Sequence, residues 1–181
     1  MSAFLKRQIK EEIDRANRIL CLTDERIDGD TIGSTLGLFH ILVDLGKDVT
    51  VFSPEPLHET LAFLPGTEAI RRDKELFDDA EFDLILIFDC ADGEYIKPLL
   101  PRMKKQPTLV VFDHHATNPQ YGTINLIEPD AASTADVVWR FVSQSEYAVN
   151  KDAAQCILTG ICTDTGIFST SNTTAMKTMD R

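Results

Sequence analysis

Several common features are scarce or missing in this chain. No stretch approaches the roughly 20 consecutive apolar residues that a membrane-spanning helix needs. Residues 1–18 mix charges of both signs and lack the apolar core of a signal peptide. A cytoplasmic location with no membrane partner is therefore expected. Cysteine is sparse. Cys21, Cys90, Cys156 and Cys162 lie scattered in apolar stretches with no C-x-x-C spacing, which points to buried free thiols rather than disulfides or zinc ligands. Basic residues are outnumbered, 18 Lys and Arg against 29 Asp and Glu, for a net charge of -11. That balance argues against a large nucleic-acid surface. It leaves room for a small anionic substrate, because bound divalent cations invert the local field. The first apolar run is followed by no G-x-G-x-x-G loop, so a plain dinucleotide-binding domain is disfavoured. Internal repeats, low-complexity tracts and flexible linkers are missing as well.

What remains is the pattern of one α/β domain. At 181 residues, with 43% apolar and 26% charged, the chain is long enough to bury a core. Phe4, Leu5, Ile9, Ile13 and Ala16 recur at helical spacing. Strands are expected at 18–23, 48–52, 82–88, 108–112 and 124–127. Helices are expected at 31–45, closed by Gly46, and at 133–143 and 150–162, capped by Ser133 and Asn150. Prolines 54, 56 and 65 with Gly66 break the next segment into a loop with a short helical piece. A short helix is expected across Tyr95–Met103. The alternation predicts a doubly wound, mostly parallel sheet flanked by helices.

Polar chemistry gathers at the strand ends. Asp113-His114-His115 follows a short β-branched run, which places titratable groups where ligands bind in open α/β sheets. The first strand runs into Asp24, Asp28 and Asp30, and Gly29 lets a short loop turn two carboxylates toward one point. Capping of the next helix is the plainer role for any one of these acids. Gly33 and Ser34 follow in the first helical turn, where free N–H groups could face an anion. Asp89 ends another strand, and Asp164 lies between two threonines after an apolar helix, where alone it reads as a loop with a cap. Together Asp24, Asp28, Asp30, Asp89, His114 and Asp164 make a carboxylate-rich set with one imidazole, suited to Mn²⁺ or Mg²⁺ rather than structural zinc. So many carboxylates need compensation, and two dications would supply it in the manner of phosphoester hydrolases.

Five stretches carry a resemblance: residues 28–34 (DGDTIGS), 87–92 (IFDCAD), 112–118 (FDHHATN), 133–136 (STAD) and 160–168 (GICTDTGIF). In this order they resemble the DHH phosphoesterase superfamily, and within it the branch of nanoRNases and 3′-phosphoadenosine 5′-phosphate (pAp) phosphatases. The resemblance implies a DHH-type catalytic domain over 1–181 and hydrolysis of small nucleotides: pAp-like compounds, short oligoribonucleotides or cyclic dinucleotide products. It implies two divalent cations, Mn²⁺ ahead of Mg²⁺. One would be held by Asp24, Asp28 and Asp89, the other by Asp30, Asp89, His114 and Asp164, with Asp89 as the bridge. A water between them would attack. His115 would meet the scissile phosphate, Asp113 would orient a neighbour, and Gly33, Ser34 and Asn118 would contact substrate.

Two departures stand out. Asp24 occupies a position where the family has histidine in a His-x-x-Pro-Asp-Gly-Asp pattern, and Ile27 replaces the proline. This implies either a preference shifted toward Mg²⁺ or a weak first cation site. The chain also stops soon after 172–178, where the family's first domain finishes, so the C-terminal substrate-binding domain is expected to be absent and the site open on one side. A manganese-dependent inorganic pyrophosphatase and a catalytically weakened nucleotide-binding or regulatory domain are the alternatives. A homodimer is left open.

Overall fold

The apolar runs pair side by side. The computed structural model describes residues 3–169, so the segment 172–178 lies outside the described residues. Strands β1 (Arg18–Leu22), β2 (Asp48–Phe52), β3 (Ile70–Arg71), β4 (Leu84–Phe88), β5 (Thr108–Asp113) and β6 (Ile124–Ile127) form one sheet in the order β3-β2-β1-β4-β5-β6. Every pairing is parallel. Strand order reverses between β1 and β4, and such a switch point opens a crevice at the strands' carboxyl ends.

All five residues of β4 are buried because both faces of the sheet are covered. Ile19, Cys21, Leu86, Phe88 and Phe112 face a cluster shared with the buried sides of α1 (Ala3–Arg15), α2 (Gly29–Asp44), α3 (Thr134–Val142) and α4 (Lys151–Asp164). Leu20, Leu22, Ile85, Ile87 and Val111 face a second cluster, closed by Phe77, Phe82, Ile96 and Met103. That second layer is built from turns and short 3₁₀ segments. The expected helix at Tyr95–Met103 is one of them, a series of turns ending in a 3₁₀ turn at Leu100–Arg102. Pro98 and Pro101 remove the donors a continuous helix would need.

The helix starts follow the sequence expectation. Asp28 accepts from the backbone N–H of Asp30 and Thr31, Ser133 from Asp136, and Asn150 from Ala153. Gly46, at φ 75°, closes α2. Helix α2 packs most closely on α4. A Cβ at Gly33 would sit 2.6 Å from the Cys156 carbonyl oxygen and 2.8 Å from the Gly160 nitrogen. Gly33 and Ser34 are both buried, Gly33 where two helix backbones nearly touch, and the Ser34 hydroxyl donates to the Thr31 carbonyl at 3.0 Å. Cys21, Cys90 and Cys156 are buried free thiols, and Cys162 is a partly exposed one. No helix among the described residues is long and apolar enough to cross a membrane.

Candidate metal centre

Four segments deliver side chains to the crevice: the start of α2, the end of β4, the end of β5 and the end of α4. Asp30, in the first turn of α2, is 1% exposed. Its Oδ2 accepts from Thr134 N at 2.6 Å and its Oδ1 from Ala135 N at 2.8 Å, so the first turn of α3 grips both oxygens. Asp89 follows β4 with φ at 59°. A left-handed backbone is uncommon outside glycine and costs about 1–2 kcal/mol, and here it belongs to the most central carboxylate. Both Asp89 oxygens accept hydroxyl hydrogen bonds, from Thr31 at 2.6 Å and Thr134 at 2.8 Å. His114 places Nε2 3.8 Å from Asp89, 3.9 Å from Asp164 and 4.0 Å from Asp30.

Next to this group stands a second arrangement. Asp113 is fully buried. Its Oδ1 accepts from the backbone N–H of His114 and His115 and contacts His115 Nδ1 at 2.7 Å. Its Oδ2 accepts from the Asn118 amide at 2.7 Å. Asn118 also donates to the Cys90 carbonyl and accepts from Gln120 N. In this arrangement its amide braces Asp113. His115 Nδ1 lies 3.8 Å from Asp89, and 43% of the His115 side chain is open to solvent.

The electrostatics describe a crowded anionic cluster whose counter-charge comes from histidine rather than from Lys or Arg among the described residues. Burial, and then the Asp89 charge, hold the Asp30 carboxyl well above the usual carboxylate range. Burial outweighs the threonine hydrogen bonds and pushes Asp89 to about 7. Asp164 is raised by burial and by Asp28. It is the last residue of α4 rather than a loop residue, so it sits at the negative end of a helix. Among the described residues no Lys or Arg pairs with Asp30, Asp89 or Asp164; the ion-pair partners are histidines. Burial lowers the His114 pKa against the pull of Asp164, which favours the neutral imidazole a metal requires. His115 goes the other way: its hydrogen bond to Asp113 raises it to about 9.

This donor set fits a divalent cation. Atoms bound to a small dication at about 2.0–2.1 Å lie about 3–4 Å from one another, and the His114–carboxylate separations of 3.8–4.0 Å fall there. Two overlapping groups have the spacing to hold an ion, Asp30 with His114 and Asp164, and Asp89 with His114 and His115. Asp28 is linked to them through Thr31, whose hydroxyl lies 3.1 Å from Asp28 Oδ1 and 2.6 Å from Asp89 Oδ2. Asp24 is not brought into either group. Its carboxylate accepts from the N–H of Glu25, and its charged neighbours are Arg26 and Asp92. A residue that caps its own turn is poorly aimed at a shared ion.

Thr31 and Thr134 were not singled out in the sequence, yet together they hold both oxygens of Asp89. Threonine early in a helix reads as capping or packing. The only available signal was that each follows a capping residue by one to three positions. Gly29 also has a different purpose from the flexible turn expected: it opens α2, and a Cβ there would overlap Thr163 of α4.

Residues 18–161 match the DHH family, N-terminal domain. The bifunctional oligoribonuclease and PAP phosphatase NrnA of Thermus thermophilus is 32% identical over 147 residues, which cover 81% of this chain and 43% of that protein. A solved exopolyphosphatase-related protein from Bacteroides fragilis superposes with a TM-score of 0.89 at 26% identity, over 99% of this chain and 56% of that one. RecJ from Thermus thermophilus in complex with Mn²⁺ shares the fold, with a TM-score of 0.53 at 19% identity over 87% of this chain and 23% of RecJ. The chain spans about half the length of the curated relatives it matches.

Proposed function

The chain belongs to the DHH family, and from that membership we propose that it hydrolyses phosphomonoester or phosphodiester bonds of small nucleotides with the aid of divalent cations. The observation that carries this reading is the meeting of Asp30, Asp89 and Asp164 around His114 within 4.0 Å, with no Lys or Arg pairing among the described residues. The names of its relatives, an oligoribonuclease and PAP phosphatase and a manganese-bound RecJ, support the same chemistry.

Asp30, Asp89, His114 and Asp164 would hold one cation, and Asp28 with Asp89 a second, weaker one. Asp24 is the expected ligand least supported by this geometry. Such cations, when bound, would polarise a phosphoryl oxygen and provide a water that loses its proton at neutral pH. An imidazole ligand among carboxylates favours Mn²⁺ over Mg²⁺. The chain's own residues do the rest. Thr31 and Thr134 fix the direction of Asp89. Asp113 holds His115 Nδ1, which leaves Nε2 for a substrate oxygen. With its pKa near 9, His115 is protonated at neutral pH and can give a proton to the leaving oxygen. Asn118 keeps Asp113 in place.

The test is phosphate release from pAp, a short oligoribonucleotide and pyrophosphate, each with Mn²⁺ and with chelator. Cation-dependent turnover of a nucleotide substrate supports the reading, whereas turnover of pyrophosphate alone replaces it with a pyrophosphatase. The placement of Asp24 favours one other outcome, a nucleotide-binding domain of weak activity, seen as binding without turnover at saturating Mn²⁺.

A further inference from the structure

Behind the first turn of α3 lies a set of charged side chains with no part in the chemistry above. Asp136 is completely buried. Its two oxygens receive Arg140 in a forked pair, Nε to Oδ1 at 3.1 Å and Nη2 to Oδ2 at 2.7 Å. Oδ2 also accepts from Ala132 N at 2.9 Å, while Asp136 N donates to Ser133 Oγ at 3.1 Å. Arg140 reaches on through Nη1 to Glu128 at 3.2 Å, and Glu128 N donates to the Asp113 carbonyl at 3.0 Å. The loop 128–134 is therefore pinned at both ends. The same loop presents Thr134 N to Asp30, Thr134 Oγ1 to Asp89 and a backbone contact from Ala131 to His114. Three of the four ligands proposed for the cation between Asp30, Asp89, His114 and Asp164 rest on it.

An inward-facing ion pair of this kind is weak evidence for stability, since apolar residues of equal volume often serve as well. Its worth lies in geometry, because a forked Arg–carboxylate pair fixes direction as well as distance. We propose that Asp136 and Arg140 are positioning residues for the metal centre: they hold the start of α3 at the register that aims Asp30 and Asp89 at a divalent cation. This rests on the metal reading above, and it predicts a loss of cation affinity separable from any loss of fold.

The test is calorimetric titration of Mn²⁺ into the wild type, Arg140→Met, Arg140→Lys and Asp136→Asn, with thermal melts of each in chelator. Ile13→Val, in the same buried layer, serves as a control that lowers the melting point without touching the loop. Outer partners of metal ligands are typically worth about 10–100-fold in affinity. Arg140→Met and Asp136→Asn should show a loss of that size, Arg140→Lys a smaller one, and Ile13→Val none. If Arg140→Met does not fold, the lysine and asparagine variants carry the comparison. Mn²⁺ affinities within about two-fold of wild type, despite lower melting points, would overturn the proposal and leave the pair a structural one. A wild type that binds no Mn²⁺ overturns the metal reading itself, a failure visible before any substitution is made.

Discussion

Asp89 is 7% exposed, and burial outweighs its two threonine hydrogen bonds to push its carboxyl up to about 7. Asp89→Asn removes the charge and keeps the shape. Asparagine also tolerates the left-handed backbone at φ 59°, and a threonine hydroxyl can turn to accept from its amide. With an unfolded pKa near 3.9, the folded chain holds this proton more tightly than the unfolded chain between about pH 4 and pH 7. Stability therefore falls as pH rises through that window. In the cation-free wild type, Asp89 alone costs about 1–2 kcal/mol at pH 5 and about 4 kcal/mol at pH 8. Asp30 and Asp164, also raised, steepen the decline. In chelator, Asp89→Asn should thus be more stable than wild type, by several kcal/mol at pH 8 and by much less at pH 5. Urea unfolding followed by Trp139 fluorescence at both pH values reads this directly. A variant less stable than wild type at pH 8, or a difference independent of pH, would refute the reasoning.

Further outcomes follow from the same geometry. Mn²⁺ should raise the wild-type melting temperature more at pH 8 than at pH 5, where protons compete for the carboxylates, and should barely affect Asp89→Asn; differential scanning fluorimetry checks both. His115→Gln should lower kcat about 100-fold at saturating Mn²⁺ while calorimetry shows Mn²⁺ affinity little changed. Asn118→Ala should cost about 1–3 kcal/mol of stability in a urea titration and lower kcat more than it raises KM; a KM effect alone would return Asn118 to substrate binding. Gly33→Ala should destabilise the fold by about 1–3 kcal/mol in the same titration, because its Cβ would press on the Cys156 carbonyl and the Gly160 nitrogen.

Much of this fold could be read from side-chain pattern. The apolar run expected as a strand at 82–88 contains β4, Ser133 and Asn150 marked two helix starts that the structure keeps, and of the acids offered for a third the cap is Asp28. Strand β3 was missed because two residues carry no periodicity. The segment Tyr95–Met103 has helical apolar spacing, but its prolines break the ladder. At the centre, acids at strand ends were visible because strand and acid are adjacent in sequence. What pattern could not supply was direction. That Gly33 lies against α4, and that the Asn118 amide is shared between Asp113 and Cys90, could not be read from spacing. Asp24 lies close to the right residues in sequence, yet its carboxylate turns to its own backbone. The support from Thr134, Asp136 and Arg140 joins residues more than 100 positions from Asp30, and only the fold brings them together.

The central claim is that Asp30, Asp89, His114 and Asp164 form a centre for a divalent cation. Anomalous scattering from crystals grown with Mn²⁺ tests it most directly. A strong peak bounded by those four side chains is expected, with a weaker one between Asp28 and Asp89. Crystals that hold Mn²⁺ elsewhere, or none at saturating concentration with the four side chains placed as described, would contradict it.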